Sequence, residues 1–246
     1  MNEDTPLRYI VVRSARRRRT FALTVERDGT VRVAAPMRAR AEEIRRFVER
    51  HRRWIASRLA ARPPDRAPLQ FASGECIPYL GRPLRLIVEP GAATRPLVAR
   101  REGALFVIEP ASLGGDERRR MLSAAIERWY RAEAATRLSS HVARWGVVMG
   151  VEPRAVRVRD QRRRWGSCGA DGTLRFNWRL VMAPADVIDY VVVHELAHLR
   201  VLDHSPAFWE EVGRILPDYR ALRAKLNAIG PSLTMEFAVA PTEGAG

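Results

Sequence analysis

Val191-Val192-Val193-His194-Glu195-Leu196-Ala197-His198 is the stretch on which the reading of the fold turns. Apolar residues run through Val187–Val201 without a breaker, and Pro184 stands where a proline opens a helix. Residues four apart share a helix face, so the imidazoles of His194 and His198 can converge on one metal ion. Glu195 lies one step round from His194, placed to hold a water at that metal. Zinc takes neutral nitrogen donors at about 2 Å and keeps an open position for water. A neighbouring carboxylate then takes the water's proton as the metal lowers its pKa. This is the HExxH arrangement. Without a metal, His, Glu and His would each be costly to bury in so apolar a helix.

Two histidines do not complete a hydrolytic zinc site, which normally has three protein ligands. His204 is the first choice for the third. A straight helix turning about 100° per residue would leave His204 roughly 120° away from His198. The helix must therefore end near Arg200–Asp203 and let the chain fold back. Ser205-Pro206, a capping residue and a helix-opening proline directly after His204, fits that interruption. Glu210 and Glu211 on the next helix are rival ligands.

Upstream of the motif the pattern alternates between short strands and helices. Leu7–Arg13, Thr20–Glu26 and Val31–Ala35 read as strands, with a hairpin-type turn at Arg27-Asp28-Gly29-Thr30. From Ala41 to Arg62 the period becomes helical. Ile44, Phe47, Val48, Trp54, Ile55 and Leu59 take one face and arginines and glutamates the other. A proline-rich linker follows, from Pro63 to Pro68. Glu75–Leu80, Leu84–Glu89, Leu97–Arg101 and Leu105–Glu109 form a second β-rich stretch, and Gly114-Gly115-Asp116 opens a long helix. Arg154–Asp160 and Thr173–Trp178 read as strands; Ala207–Leu216 and Asp218–Ile229 read as helices after the motif.

Composition excludes several classes. A hydrophobic fraction of 46% over 246 residues builds an ordinary globular core, and no apolar run is long enough for a membrane span. The N-terminal MNEDTPLRYI lacks an apolar secretory segment, and Cys76 and Cys168 cannot make a disulfide framework. A cytoplasmic location and no membrane partner are expected. The 43 Lys+Arg against 28 Asp+Glu give a charge of +15, and Lys225 is the only lysine. Residues 1–66 hold 18 basic and 8 acidic side chains, whereas residues 151–246 hold 13 and 12. The excess is thus an N-terminal property and a hint of an acidic partner there.

The segment RRRWGSC…GTLRFNWRLVMAP…IDYVVVHELAHL…DHSPAFW, densest from Arg162 to Lys225, closely resembles the YgjP-like family of zinc metallopeptidase domains, relatives of the SprT-like proteases. The resemblance implies an α+β fold. Its zincin-like catalytic core, over residues 111–229, would comprise a backing helix, a small sheet, the HExxH helix and C-terminal helices. A β-rich N-terminal region with one amphipathic helix (41–62) would occupy residues 1–110, and residues 230–246 a flexible tail. It also implies that His194, His198 and His204 hold one Zn²⁺ per chain and that Glu195 is the acid/base. The His198-to-His204 spacing equals that of metzincins, but Val201 replaces their glycine and no Met-turn follows, so that assignment is rejected.

The remaining candidates are weaker. Cys168 reads as packing, His51 and His141 as satisfied core histidines, and Trp54, Trp129 and Trp145 as helical core positions. Asn177 and the Thr173–Trp178 strand are a candidate substrate-binding rim, with Arg164 and Arg175 as further substrate contacts. The expected function is a zinc-dependent peptidase acting on protein or peptide. One alternative, carried by the family resemblance, is a metal-dependent UTP pyrophosphatase with Arg162–Arg164 or Arg175 on the phosphates. Another, carried by the SprT-like relatives, is a DNA-associated protease whose basic N-terminal region binds nucleic acid, with Arg16–Arg19 a possible phosphate contact.

Overall fold

The computed structural model describes residues 7–15, 19–26, 29–60, 69–161 and 164–233. The Arg27-Asp28 positions of the expected turn, the linker 63–68, most of the Arg16–Arg19 run, Arg162, Arg163 and the tail beyond Leu233 lie outside the described residues. The fold is mixed α+β, with six α-helices and three small sheets among the described residues. It divides into two compact units, Met1–Asp65 and Arg66–Gly246.

In the first unit, β1 (Ile10–Ser14), β2 (Ala22–Val25) and β3 (Val31–Pro36) form a sheet of order β1-β3-β2. Strand β3 alternates over its first five residues, and Val31, Val33 and Ala35 are buried against Ile44, Val48 and Ile55. The single helix expected over 41–62 is instead two, α1 (Ala41–Arg50) and α2 (Arg52–Ala60). His51 makes the break. Its backbone N–H bonds back to Glu49 and Val48 carbonyls, and its Nδ1 lies 2.7 Å from the Phe47 carbonyl oxygen. That carbonyl bond and a tilted contact with the Phe47 ring account for this histidine.

The second unit starts at Arg66 rather than at 111. Strands β4 (Cys76–Tyr79), β5 (Arg82–Gly91), β6 (Leu97–Arg101) and β7 (Ala104–Pro110) form a sheet of order β4-β5-β7-β6. Its inward residues Ile77, Leu86, Leu105 and Val107 share one core with Leu122, Ile126, Tyr130 and Leu138 of α3 (Gly115–Met149). An apolar sheet face needs a cover, and α3, about 50 Å long at 1.5 Å per residue, supplies it. The sheet therefore belongs to the unit that carries the HExxH helix. Gly81 joins the two: its N–H bonds Met182 O at 3.0 Å, and a Cβ there would lie 2.7 Å from Pro184.

A smaller sheet follows α3, formed by β8 (Ala155–Arg159), β9 (Gly166–Cys168) and β10 (Thr173–Asn177) in the order β8-β10-β9. Strand β10 runs parallel to β8 and antiparallel to β9. A short 3-10 helix, Trp178–Met182, leads into α4 (Ala185–Ala197), then α5 (Pro206–Ile215) and α6 (Tyr219–Leu233). Helix α6 continues four residues past the Ile229 end expected from sequence. Helix α4 is nearly all core on its apolar sides, with Val187, Ile188, Val191, Val192, Val193, Leu196 and Ala197 buried. Asp189 fastens it to α3: its Oδ1 accepts from His141 Nδ1 at 2.6 Å, Arg144 at 2.6 Å and Trp145 Nε1 at 2.7 Å. Burial raises the Asp189 carboxyl, but these donors outweigh it and hold the group below the usual carboxylate range.

Candidate metal centre

Helix α4 ends at Ala197, ahead of the Arg200–Asp203 end expected from the sequence. His198 is its C-terminal cap, and the next N–H groups close tight turns, Leu199 to Leu196 O at 3.0 Å and Arg200 to Ala197 O at 3.0 Å. Arg200 holds the turn in place. Its guanidinium donates to Met149 O at the end of α3 and to Glu211 Oε1 of α5 at 2.8 Å. The chain folds back, Ser205 caps α5 with Pro206 as its first residue, and His204 returns over the helix end.

His194, His198 and His204 consequently cluster, with one ligand atom from each lying within 4.8 Å of the others. His194 and His204 bring their Nε2 atoms to 3.1 Å. Two nitrogens on a tetrahedral zinc at about 2.05 Å would stand roughly 3.3 Å apart, so the pair fits such an ion. His198 Nδ1 lies 3.0 Å from Val201 O, which fixes the tautomer and leaves Nε2 as a donor to a metal. His194 Nδ1 is buried without a partner among the described residues. Burial, then His198, His204 and Arg223, push the His194 pKa down to about 3, so the ring is the neutral donor a metal needs. The rival carboxylates are elsewhere. Glu211 is bonded to Arg200 and Arg214, Glu210 lines a groove with them, and neither joins the histidine cluster.

An aromatic wall holds the imidazoles. Phe208, fully buried, stacks on His198 at 4.4 Å and meets His194 and His204 edge-on, each at 4.9 Å. Trp209 lies 5.7 Å from both His194 and His204, stacks on Tyr219, and carries Arg223 over its ring at 5.1 Å. These residues sit in the quoted HSPAFW segment or beyond it. For Phe208 and Trp209 the signal is the helix start itself: the residue before an N-cap commonly packs on the helix's first turn, as His204 does.

Glu195 is only 5% exposed and lies against strand β9. A Cβ at Gly166 would come within 2.5 Å of Glu195 Oε1, so the absence of a side chain there is what admits the carboxylate. Burial pushes the Glu195 carboxyl up to about 7, opposed by the nearby Arg164 charge and by the Cys168 backbone N–H that bonds it. Cys168 faces this carboxylate as a thiol, because burial first and Glu195 second raise its pKa.

The other expected contacts fall apart. Strand β10 is the middle strand, flanked by β8 and β9, and has no free edge on which a substrate could lie. Asn177 is buried and fully used: its Nδ2 donates to Gln161 O at 2.7 Å and its Oδ1 accepts from Arg179 N at 3.0 Å, capping the 3-10 helix. Arg175 sits in a groove with Arg154, Arg157 and Arg159 on the β8 side of the sheet. Of the three, Arg164 alone bears on Glu195.

The model of the YgjP-like metallopeptidase domain family matches residues 19–229. No curated protein matches the chain. Among solved structures, the metallopeptidase zymogen of Pyrococcus abyssi abylysin is 21% identical, over 36% of this chain and 90% of that one, with a TM-score of 0.34. The metallopeptidase zymogen of Methanocaldococcus jannaschii jannalysin is 18% identical, over 37% of this chain and 93% of that one, also with a TM-score of 0.34.

Proposed function

Because this chain belongs to the YgjP-like metallopeptidase domain family, we propose that its metal is a single zinc ion held by His194, His198 and His204, and that it hydrolyses peptide bonds with Glu195 as general base. On this reading α3, the small sheet, α4 and the two C-terminal helices make a zincin-like core. The convergence of three imidazoles beside one buried carboxylate carries the proposal. Zinc bound there would supply a Lewis acid that lowers the pKa of water and polarises the scissile carbonyl.

The chain's own residues do the rest. Glu195 accepts the proton of the attacking water and delivers it to the leaving amine. Gly166 and the Cys168 N–H set the position of that carboxylate. Strand β9 pairs only with β10 among the described residues, so the backbone groups of its other edge, apart from the Cys168 N–H held by Glu195, are offered to an extended peptide. That edge, rather than the Thr173–Trp178 strand, is the substrate rim.

Metal analysis with Glu195→Gln tests the reading on unfolded proteins, peptides and UTP. One zinc per chain should persist in the variant while peptide cleavage falls by about 10²–10⁴-fold. Zinc-loaded protein that cleaves no peptide would refute it. Release of pyrophosphate from UTP, lost in Glu195→Gln, would move the activity to nucleotides.

A further inference from the structure

We propose that the outer edge of β8, beside the arginine-lined groove on the shared face of β8 and β10, is a second peptide site, which takes an extended acidic segment of the polypeptide substrate as an added strand. The groove is lined by Arg154, Arg157, Arg159 and Arg175, with Asp171 as its single carboxylate. Asp171 is already engaged: its Oδ2 accepts from Thr173 Oγ1 at 2.8 Å, and Arg175 lies 4.0 Å from its other oxygen. Arg154, Arg157 and Arg159 are exposed, and their guanidinium groups have no acidic partner among the described residues.

The register sharpens the point. Arg175 stands directly opposite Arg157 in the parallel β8–β10 ladder. Like charges directly opposite one another destabilise a sheet; Asp171 offsets the Arg175 charge, but no carboxylate among the described residues pairs with Arg157. Arg157 and Arg159 are two residues apart on one face, a separation of about 6.6 Å. An extended peptide has the same repeat. Every second side chain of a strand laid beside β8 would therefore meet Ala155, Arg157 and Arg159 in turn, at cross-strand distance. Strand β8 is an edge strand of its sheet, so such a peptide would also find main-chain partners. Acidic residues at alternate positions match this surface.

The site is separate from the metal centre. Strand β9, which touches Glu195, lies on the opposite side of β10 from β8. The occupant's being a polypeptide rests on the peptidase reading, but binding is measured without cleavage. Its failure and the failure of that reading are thus distinguishable.

The test uses the full chain carrying Glu195→Gln, so that nothing is cut, and fluorescence anisotropy with a labelled ten-residue peptide alternating Glu and Thr. The same peptide with Gln for Glu, and a short DNA duplex, serve as comparators. The Glu peptide should bind at least tenfold more tightly than the Gln peptide and weaken as salt rises. Arg157→Ala with Arg159→Ala should cost about tenfold in affinity, as two exposed ion pairs would. Lysine at both positions should restore most of it, and circular dichroism checks that both variants fold. Without the Glu195 substitution, the double alanine variant should cleave an uncharged peptide as the native chain does. Equal binding of the Glu and Gln peptides would overturn the proposal, as would affinity that survives the alanines. Arginine-dependent binding of the duplex alone would assign the groove to nucleic acid instead.

Discussion

Alanine at Gly166 probes how Glu195 is positioned without touching a metal ligand. The backbone at Gly166 is outside the left-handed region, so alanine meets no conformational penalty there. The only obstacle is contact: the new Cβ would lie 2.5 Å from Glu195 Oε1, 2.6 Å from Cγ and 2.8 Å from Cδ. Reaching an ordinary 3.4 Å separation needs about 0.9 Å of movement. Strand β9 cannot supply it freely, since Gly166 is paired with Phe176 and the Trp165 carbonyl holds the Asn177 N–H at 2.9 Å. The carboxylate must therefore move. A displacement near 1 Å costs about 10²-fold in rate, or about 2.7 kcal/mol of transition-state stabilisation. Peptide cleavage by Gly166→Ala should fall by that factor, with zinc content and thermal midpoint close to native. Ser167→Ala, whose hydroxyl takes only a 3.3 Å bond from Gln161, is the control and should stay near native. An alanine variant within threefold of native kcat/KM would refute the reasoning, because Glu195 would then have room to spare. Loss of zinc along with activity would refute it too, because the effect would no longer run through the carboxylate.

Three further outcomes are expected. Phe208→Ala removes a fully buried ring that touches all three imidazoles, and should cost about 3–5 kcal/mol in urea unfolding; it should also speed zinc loss to a chelator. Asp189→Asn should destabilise the chain by about 2–3 kcal/mol near neutral pH, because one acceptor serves three donors. Since the folded Asp189 pKa lies below the ordinary carboxylate value, its contribution is present above that value and lost as pH falls through the folded one. The gap between native and variant unfolding midpoints should thus close on acidification, and a gap independent of pH would contradict the assignment. Chelation should abolish cleavage while the helical circular dichroism signal persists, because the core beneath α4 is apolar and complete. Zinc but not magnesium should restore activity, since imidazole donors favour it.

The metal cluster was legible because its rules are local. A four-residue step puts His194 and His198 on one face, and a cap plus proline marks where the chain must turn to return His204. The cover of a sheet face is not local. Alternation in β5 and β7 shows which side is apolar but not that α3 lies over it, so the boundary expected at 110 falls instead at 65. Strand β9 has three residues, too few for any alternation to register, yet it supplies the glycine that admits Glu195. The Thr173–Trp178 strand showed strongly in the sequence for the opposite reason. It is the buried centre of its sheet, and burial on both sides removes the edge a substrate would need.

Net charge behaved in the same way. Residues 151–246 are close to neutral, with 13 basic and 12 acidic side chains, which in sequence looks like a surface without electrostatic character. In the fold most of the acids are taken locally. Asp160 holds Arg131 and Arg179, Asp186 holds Lys225, Asp189 holds Arg144 and His141, and Glu211 holds Arg200 and Arg214. Asp203 binds the Ser205 N–H at the turn after His204, and Glu195 is buried at the metal centre. Among the described arginines left without an ion pair, Arg154, Arg157 and Arg159 line one groove with Arg175. Near-neutrality over a hundred residues is therefore compatible with a sharply cationic groove, because a sum over sequence erases the segregation that folding creates.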